Sequence, residues 1–250
     1  MQKIIAANWK MYKTRAEARD TAEALARHLS EKQPAGRQVI VYPPFTAIAE
    51  VAAALADTAC AAAGGQDVYP AEEGAFTGEI SPRMLRDAGA SWVLTGHSER
   101  RHILQESDEL VGRKTAFALA QGLSVMLCIG ETLAEREGGQ LRAVLQRQLQ
   151  AGLAEVAPAH VGRLAVAYEP VWAIGTGKVA GPEEAGEAHA IARELLREVI
   201  GAAGESTPLL YGGSVKPANA AGLLALDNVD GLLVGGASLD ADSFAQIIFA

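Results

Sequence analysis

Leu164-Ala165-Val166-Ala167-Tyr168-Glu169-Pro170-Val171-Trp172-Ala173-Ile174-Gly175-Thr176-Gly177-Lys178 is the stretch on which the reading of the fold turns. Leu164 to Tyr168 is a continuous apolar run, too short for a helix. Pro170 stops it, because proline offers no N–H to a sheet ladder. An apolar run without polar alternation fits a parallel strand covered on both faces. This strand delivers a carboxylate, Glu169, to its end. Beyond it Pro170, Val171, Trp172, Ala173 and Ile174 lead into Gly175, Thr176, Gly177 and Lys178. So apolar a loop is a liability in water, but it suits a lid that closes over a base.

Working outward, seven further runs of the same kind appear: Lys3–Asn8, Gln38–Tyr42, Thr58–Ala63, Ser91–Thr95, Ser124–Ile129, Pro208–Tyr211 and Asp230–Val234. Helical signals fill the intervals. Thr14 to Lys32 carries an amphipathic stripe through Ala18, Ala22, Leu25 and Leu29. Ser81-Pro82 pairs a helix cap with proline at the first helical position. Leu133 to Val156 and Pro182 to Ile200 are the longest helical stretches, and Pro217 to Leu224 and Asp240 to Phe249 are shorter. Asp240 or Asp242 caps the last. Strand and helix alternate with no linker between halves, so the expectation is one α/β domain over residues 1–250, a closed (β/α)8 barrel. A doubly wound open sheet would carry a glycine-rich turn after its first strand. Asn8-Trp9-Lys10-Met11 cannot serve as one.

Composition narrows the function. Of the 250 residues 49% are apolar, and the net charge of −8 argues against a nucleic-acid or membrane surface. An anionic substrate would therefore need a locally positive site. Cys60 and Cys128 are too few for a disulfide framework. The start, Met1-Gln2-Lys3-Ile4-Ile5, has no secretory-signal pattern, and no apolar stretch reaches the roughly eighteen residues of a membrane span. These features point to the reducing cytoplasm.

In such a barrel the chemistry gathers at the C-terminal strand ends. There the sequence puts Asn8 and Lys10, Gly96-His97-Ser98-Glu99, Glu169, Gly212-Gly213-Ser214 and Gly235-Gly236. Glycines after the seventh and eighth strands leave backbone N–H groups open to an anion, which is where barrels often bind phosphate. Nothing resembles a Walker lysine loop, so the phosphate reads as a handle. His28, His97, His102, His160 and His189 are scattered without metal spacing, and neither a metal nor an organic cofactor is expected. A carboxylate, an imidazole and an ammonium suit proton transfer at carbon beside a carbonyl. Arg100 and Arg101 read as structural ion-pair formers, and Cys128 as a small buried residue.

The motifs Ala7-Asn8-Trp9-Lys10-Met11, Gly74-Ala75-Phe76-Thr77-Gly78-Glu79, Gly96-His97-Ser98-Glu99-Arg100-Arg101, Cys128-Ile129-Gly130-Glu131-Thr132, Tyr168 to Lys178, Tyr211-Gly212-Gly213-Ser214-Val215 and Leu233-Val234-Gly235-Gly236-Ala237 occur in one order. In them the chain resembles the triosephosphate isomerase family over essentially its full length. The resemblance implies a TIM barrel that interconverts dihydroxyacetone phosphate and glyceraldehyde 3-phosphate, without metal or cofactor. It implies Glu169 as the base, His97 as the neutral electrophile, Lys10 as positive charge toward substrate, and Asn8 as a hydrogen-bond donor to a substrate oxygen. Glu99 would contact Lys10 at rest. Gly175, Ser214, Gly235 and Gly236 would bind the phosphate, and 170–178 would close as the lid, with Ile174 and Leu233 pressing on Glu169. A homodimer is also implied, with Thr77 of the Gly74–Glu79 loop reaching the neighbouring subunit's site. Three places depart from the pattern: Asp67 follows Gln66 where many members have asparagine, Val68 to Glu73 diverges in a loop that the resemblance puts at the interface, and Gly181 replaces a serine or threonine before Pro182.

Overall fold

The computed structural model describes residues 2–173 and 180–250. Eight parallel strands close into a barrel in chain order, and the last pairs with the first. They are β1 (Lys3–Asn8), β2 (Arg37–Tyr42), β3 (Ala61–Gly65), β4 (Ala90–Thr95), β5 (Ser124–Ile129), β6 (Leu164–Tyr168), β7 (Leu209–Tyr211) and β8 (Gly231–Val234). The barrel reading of the sequence is what the chain adopts.

Alternation along each strand divides the side chains into two apolar sets. Ile4, Ala6, Ile40, Tyr42, Trp92, Leu94, Met126, Cys128, Ala165, Ala167, Leu210 and Leu233 fill the barrel interior. Their neighbours, such as Ile5, Ala7, Val39, Val41, Leu127, Val166 and Leu232, pack outward under the helices. Both faces are dry, which is why the strands read as unbroken apolar runs. The same period of two decides what reaches the mouth. Counting inward positions past Ala167 gives Glu169, and past Ala6 gives Asn8.

β3 differs from its expected span. Thr58 lies in the turn that follows the helix Ile48–Leu55, its N–H donating to Leu55 O, and the strand runs from Ala61 through Gly64 and Gly65. The two glycines hide the strand from an apolar pattern, and packing requires them. A Cβ on Gly64 would lie 2.4 Å from the Tyr42 ring, and one on Gly65 would lie 2.8 Å from Leu85. Large and small side chains thus interlock inside the barrel. The long stretch from Leu133 to Val156 also differs. It divides into helices Leu133–Glu137 and Leu141–Leu153, with Gly138 and a left-handed Gly139 (φ 67°) between them.

Side-chain caps open several of the helices. Thr14 and Thr132 each form a capping box with the glutamate three residues on. Ser81 accepts from Met84 N, and Asp240 is the acceptor that opens the last helix. Helix Pro182–Ile200 starts at Gly181 without a side-chain cap. Among the described residues no helix is long and apolar enough to cross a membrane.

His189, on Pro182–Ile200, is fully buried between Tyr168 and Tyr211. Its Nδ1 lies 2.9 Å from Asn228 O, and burial pushes its pKa down to about 4. The unfolded chain, with an ordinary histidine near 6.5, binds this proton more readily than the folded one. Stability is therefore full above about pH 6.5 and falls as pH drops toward 4, by about 3 kcal/mol for this residue alone. We expect urea titrations between pH 4 and 7 to show a shallower acid loss for His189→Gln than for the parent. Equal slopes would remove His189 from the acid limb.

Candidate active site

The mouth of the barrel opens into a cleft of about 610 Å3. Asn8, Lys10, His97, Glu169, Gly212, Gly213, Ser214, Leu233, Gly235 and Gly236 all line it. Gly175, with Ile174, Thr176, Gly177 and Lys178 of the lid, lies outside the described residues. Every other residue expected to contact the substrate faces this space. Thr77 does not. It is exposed on the loop after β3.

Glu169 is 2% exposed, and such burial needs partners. Ser98 N–H donates to its Oε2 at 2.9 Å, and Ser98 Oγ lies 3.3 Å from Oε1. His97 Nε2 stands 3.0 Å from Oε1. Burial pushes the carboxyl upward, but the His97 contact, the Ser98 N–H and Lys10 outweigh it. The group sits below the ordinary carboxylate range.

His97 takes its orientation from the first turn of Ser98–His102. It occupies the cap, where Nδ1 accepts from Glu99 N–H at 3.3 Å. A nitrogen that accepts carries no proton, so this pattern assigns the imidazole its single N–H at Nε2, the atom facing the cleft. Glu99 Oε1 accepts from Lys10 Nζ at 2.5 Å, and its Oε2 stands 3.6 Å from His97 Nδ1.

Lys10 is held in a left-handed backbone conformation, φ 51°, which is uncommon outside glycine. Asn8 Oδ1 accepts its N–H at 2.9 Å, and Gln66 Nε2 donates to its carbonyl at 2.8 Å. Gln66 also donates to Tyr42 O at 2.9 Å. It is not among the site residues that the sequence singles out. Once β3 is extended through the glycines, Ala62, Gly64 and Gln66 share the inward parity, and that is the signal that finds it.

Glycines make the remaining room. A Cβ on Gly130 would lie 1.8 Å from Glu169 O, and one on Gly212 would lie 3.0 Å from Glu169 Cγ. One on Gly235 would stand 3.3 Å from Lys10 Cε. Ser214 Oγ donates to Ala173 O at 3.0 Å and so ties the end of β7 to the start of the lid. There, the short 3-10 turn Val171–Ala173 follows Pro170. Trp172 Nε1 donates to Glu131 Oε1 at 2.8 Å, and Tyr168 OH donates to the same oxygen at 3.1 Å. Burial pushes the Glu131 carboxyl up. This anchor for the first lid residues is likewise missing from the expected site, for nothing in its sequence separates Glu131 from a surface acid.

Cys128 is fully buried beneath Glu169, and burial raises its thiol well above the usual range. Arg101 pairs with Asp108 at 2.5 Å and also donates to the carbonyls of Gly96 and Cys128. Arg100 pairs with Asp67 and Glu106. Both arginines act as the sequence suggested. Among the described residues no group of three metal-ligating side chains comes together.

A closed parallel barrel with a buried carboxylate facing an imidazole and an ammonium at its mouth belongs to the class of (β/α)8-barrel isomerases. A sequence profile of triosephosphate isomerase matches residues 3–250. The triosephosphate isomerase of Nitratidesulfovibrio vulgaris (Miyazaki F) is 62% identical, covering all of both chains. That of Oleidesulfovibrio alaskensis is 59% identical with the same coverage. The crystal structure of triosephosphate isomerase from Bartonella henselae superposes with a TM-score of 0.89 at 38% identity, covering 99% of this chain and 98% of that one. The chain belongs to the triosephosphate isomerase family and is an isomerase of that kind.

Gly130 gives a direct test of the site's geometry. Gly130→Ala must displace the Glu169 backbone, since its Cβ would overlap a carbonyl that cannot rotate aside. A misplacement of about 1 Å costs about a hundredfold in rate. We expect kcat/KM to fall by at least that much while the purified protein keeps its circular dichroism spectrum. Activity within a few-fold of the parent would show that the mouth accommodates the methyl.

Proposed function

We propose that the chain interconverts dihydroxyacetone phosphate and D-glyceraldehyde 3-phosphate through an enediolate, with its site residues in the roles that follow. Glu169 removes the proton from the carbon beside the carbonyl and returns it to the neighbouring carbon. His97 Nε2–H donates to the carbonyl oxygen and then serves the second oxygen. Lys10 supplies positive charge toward both the oxygens and the phosphate, and Asn8 hydrogen-bonds the substrate. Ser214, Gly235 and Gly236, with Gly175, bind the phosphate through backbone N–H groups. Residues 170–178 close over the intermediate and keep water away, which prevents loss of phosphate. No metal or organic cofactor takes part.

The contact between Glu169 and His97 Nε2 carries this reading. It puts the base and the electrophile side by side in a cleft that Lys10 also lines. At rest the carboxylate is stabilised by Ser98 N–H. Moving toward substrate breaks that bond and leaves the group against Leu233, in apolar surroundings that raise its basicity.

A homodimer supports this site in our reading. Met11, Tyr12, Phe45, Phe76, Met84, Ile103 and Leu104 are exposed large apolar residues. These seven follow β1 to β4, and an eighth, Leu133, follows β5, so most of this apolar surface gathers beside the same barrel mouth. A patch of that kind fits an interface, and the Gly74–Glu79 loop with Thr77 lies within it. The chain acts as one barrel domain in the cytoplasm, in glycolysis and gluconeogenesis.

Incubation with dihydroxyacetone phosphate in D2O tests the chemistry. Aldehyde should form and deuterium enter the transferred position, both followed by NMR. Neither event at micromolar enzyme would refute the assignment. Glu169→Gln should lower kcat by about 10²–10⁴ while inorganic phosphate still binds, and near-normal turnover would remove Glu169 from its role. Sedimentation equilibrium should return twice the 26.1 kDa chain mass, and Phe76→Lys should shift it toward one chain. A parent that sediments as a single chain would overturn the dimer.

A further inference from the structure

Lys10 is the most constrained residue of the site. Its left-handed backbone is held by Gln66 Nε2 on the carbonyl, and its ammonium by Glu99. The residues next along the chain from these two clamps are Asp67 and Arg100, and they are paired with each other at 2.9 Å. Lys114, from the helix Asp108–Ala120, donates to both Asp67 oxygens at 2.8 Å and to Glu106 Oε1 at 2.5 Å. Arg100 Nε reaches the same Glu106 oxygen at 2.7 Å. Asp67 is 3% and Lys114 2% exposed.

Two cations and two anions therefore meet in one cluster, neutral as a set, with Asp67 and Lys114 buried at its centre and Arg100 half-buried at its edge. With a neutral side chain at 67 the set would carry one unmatched positive charge. Buried ion clusters often match but do not exceed the stability of an apolar core of the same shape. What directional charge pairs add is a fixed register between the segments that bear them. Here those segments are the residues just after β3 and the helix Ser98–His102 that follows β4, and the paired residues stand one position from each clamp on Lys10.

We propose that the Asp67–Arg100–Lys114–Glu106 cluster is the positioning device for Lys10, acting through Gln66 and Glu99 without touching substrate. Lys114 and Asp67 are its central positioning residues. The cluster locks the two clamps at one separation, and that separation keeps the lysine backbone left-handed and its ammonium at the cleft. The inference rests on the part Lys10 is given above in holding the substrate.

A double-mutant cycle tests it, with kcat and KM for glyceraldehyde 3-phosphate measured on the parent, Lys10→Ala, Lys114→Met and the pair. Residues acting through one another are non-additive. Lys114→Met should lower kcat/KM about tenfold, mainly by raising KM. In the Lys10→Ala background the same change should move kcat/KM less than about twofold. Equal losses in the two backgrounds would overturn the positioning role and leave only a structural one. An unchanged kcat/KM in Lys10→Ala alone would instead remove Lys10 from the site reading, and this inference with it. Should Lys114→Met fail to fold, Asp67→Asn enters the same cycle, because it keeps the shape of the side chain and removes one charge. A loss that vanishes without Lys10 supports the proposal, and an additive or absent loss defeats it.

Discussion

A carboxylate that is both buried and ionised at rest is the constraint on which the rest of this structure depends. Desolvation of Glu169 opposes its charge, and in an apolar surround it would simply take up a proton. The barrel prevents this with groups that come from elsewhere in the chain: Ser98 N–H, the His97 edge and the charge of Lys10. Each helper needs its own support. The first turn of Ser98–His102 orients His97, and Gln66, Asn8 and Glu99 hold Lys10. Glycines at 130 and 212 clear space for the carboxylate itself. Most of the mouth can be traced back to keeping one side chain dry, charged and movable.

The barrel interior explains why these groups converge at all. Parity places Ala165 and Ala167 inside, and then Glu169; it places Ile4 and Ala6 inside, and then Asn8. Small residues below the base leave room that Tyr42, Trp92 and Met126 fill from the other strands. The core and the site are thus one continuous series along each strand. A register slip of one residue would turn Glu169 outward under the helices.

Much of this is legible in the sequence, for identifiable reasons. Strands buried on both faces give short apolar runs, so β1, β5 and β6 coincide with their expected bounds. A local cap also announces itself, as Ser81 does, and the choice between Asp240 and Asp242 falls to Asp240. β3 is misread because its last two residues are glycines chosen by Tyr42 and Leu85, which lie far off in sequence. That error also conceals Gln66, since a strand ending at Ala63 leaves it in a loop. Glu131 escapes because its identity as an anchor lies in contacts with Tyr168 and Trp172, and no local pattern encodes them. Residues whose neighbours are near in sequence can be read; those defined by the closure of the barrel cannot.

The resting contacts of Glu169 also bear on how strength as a base is stored. Every hydrogen bond that stabilises the carboxylate lowers its affinity for a proton. A base fixed permanently against Ser98 would be charged but weak. In the proposed mechanism the side chain leaves the Ser98 N–H and Oγ, its resting partners, when it turns toward the substrate, so the same group would be stabilised while idle and strengthened in use. Lys10 lines the same cleft, and in the proposed mechanism its positive charge faces the oxygens where negative charge develops. A chain of net charge −8 can therefore accept an anionic substrate, provided the ammonium is held by rigid neighbours. Basicity belongs to the part of the site that moves, and charge complementarity to the part that does not.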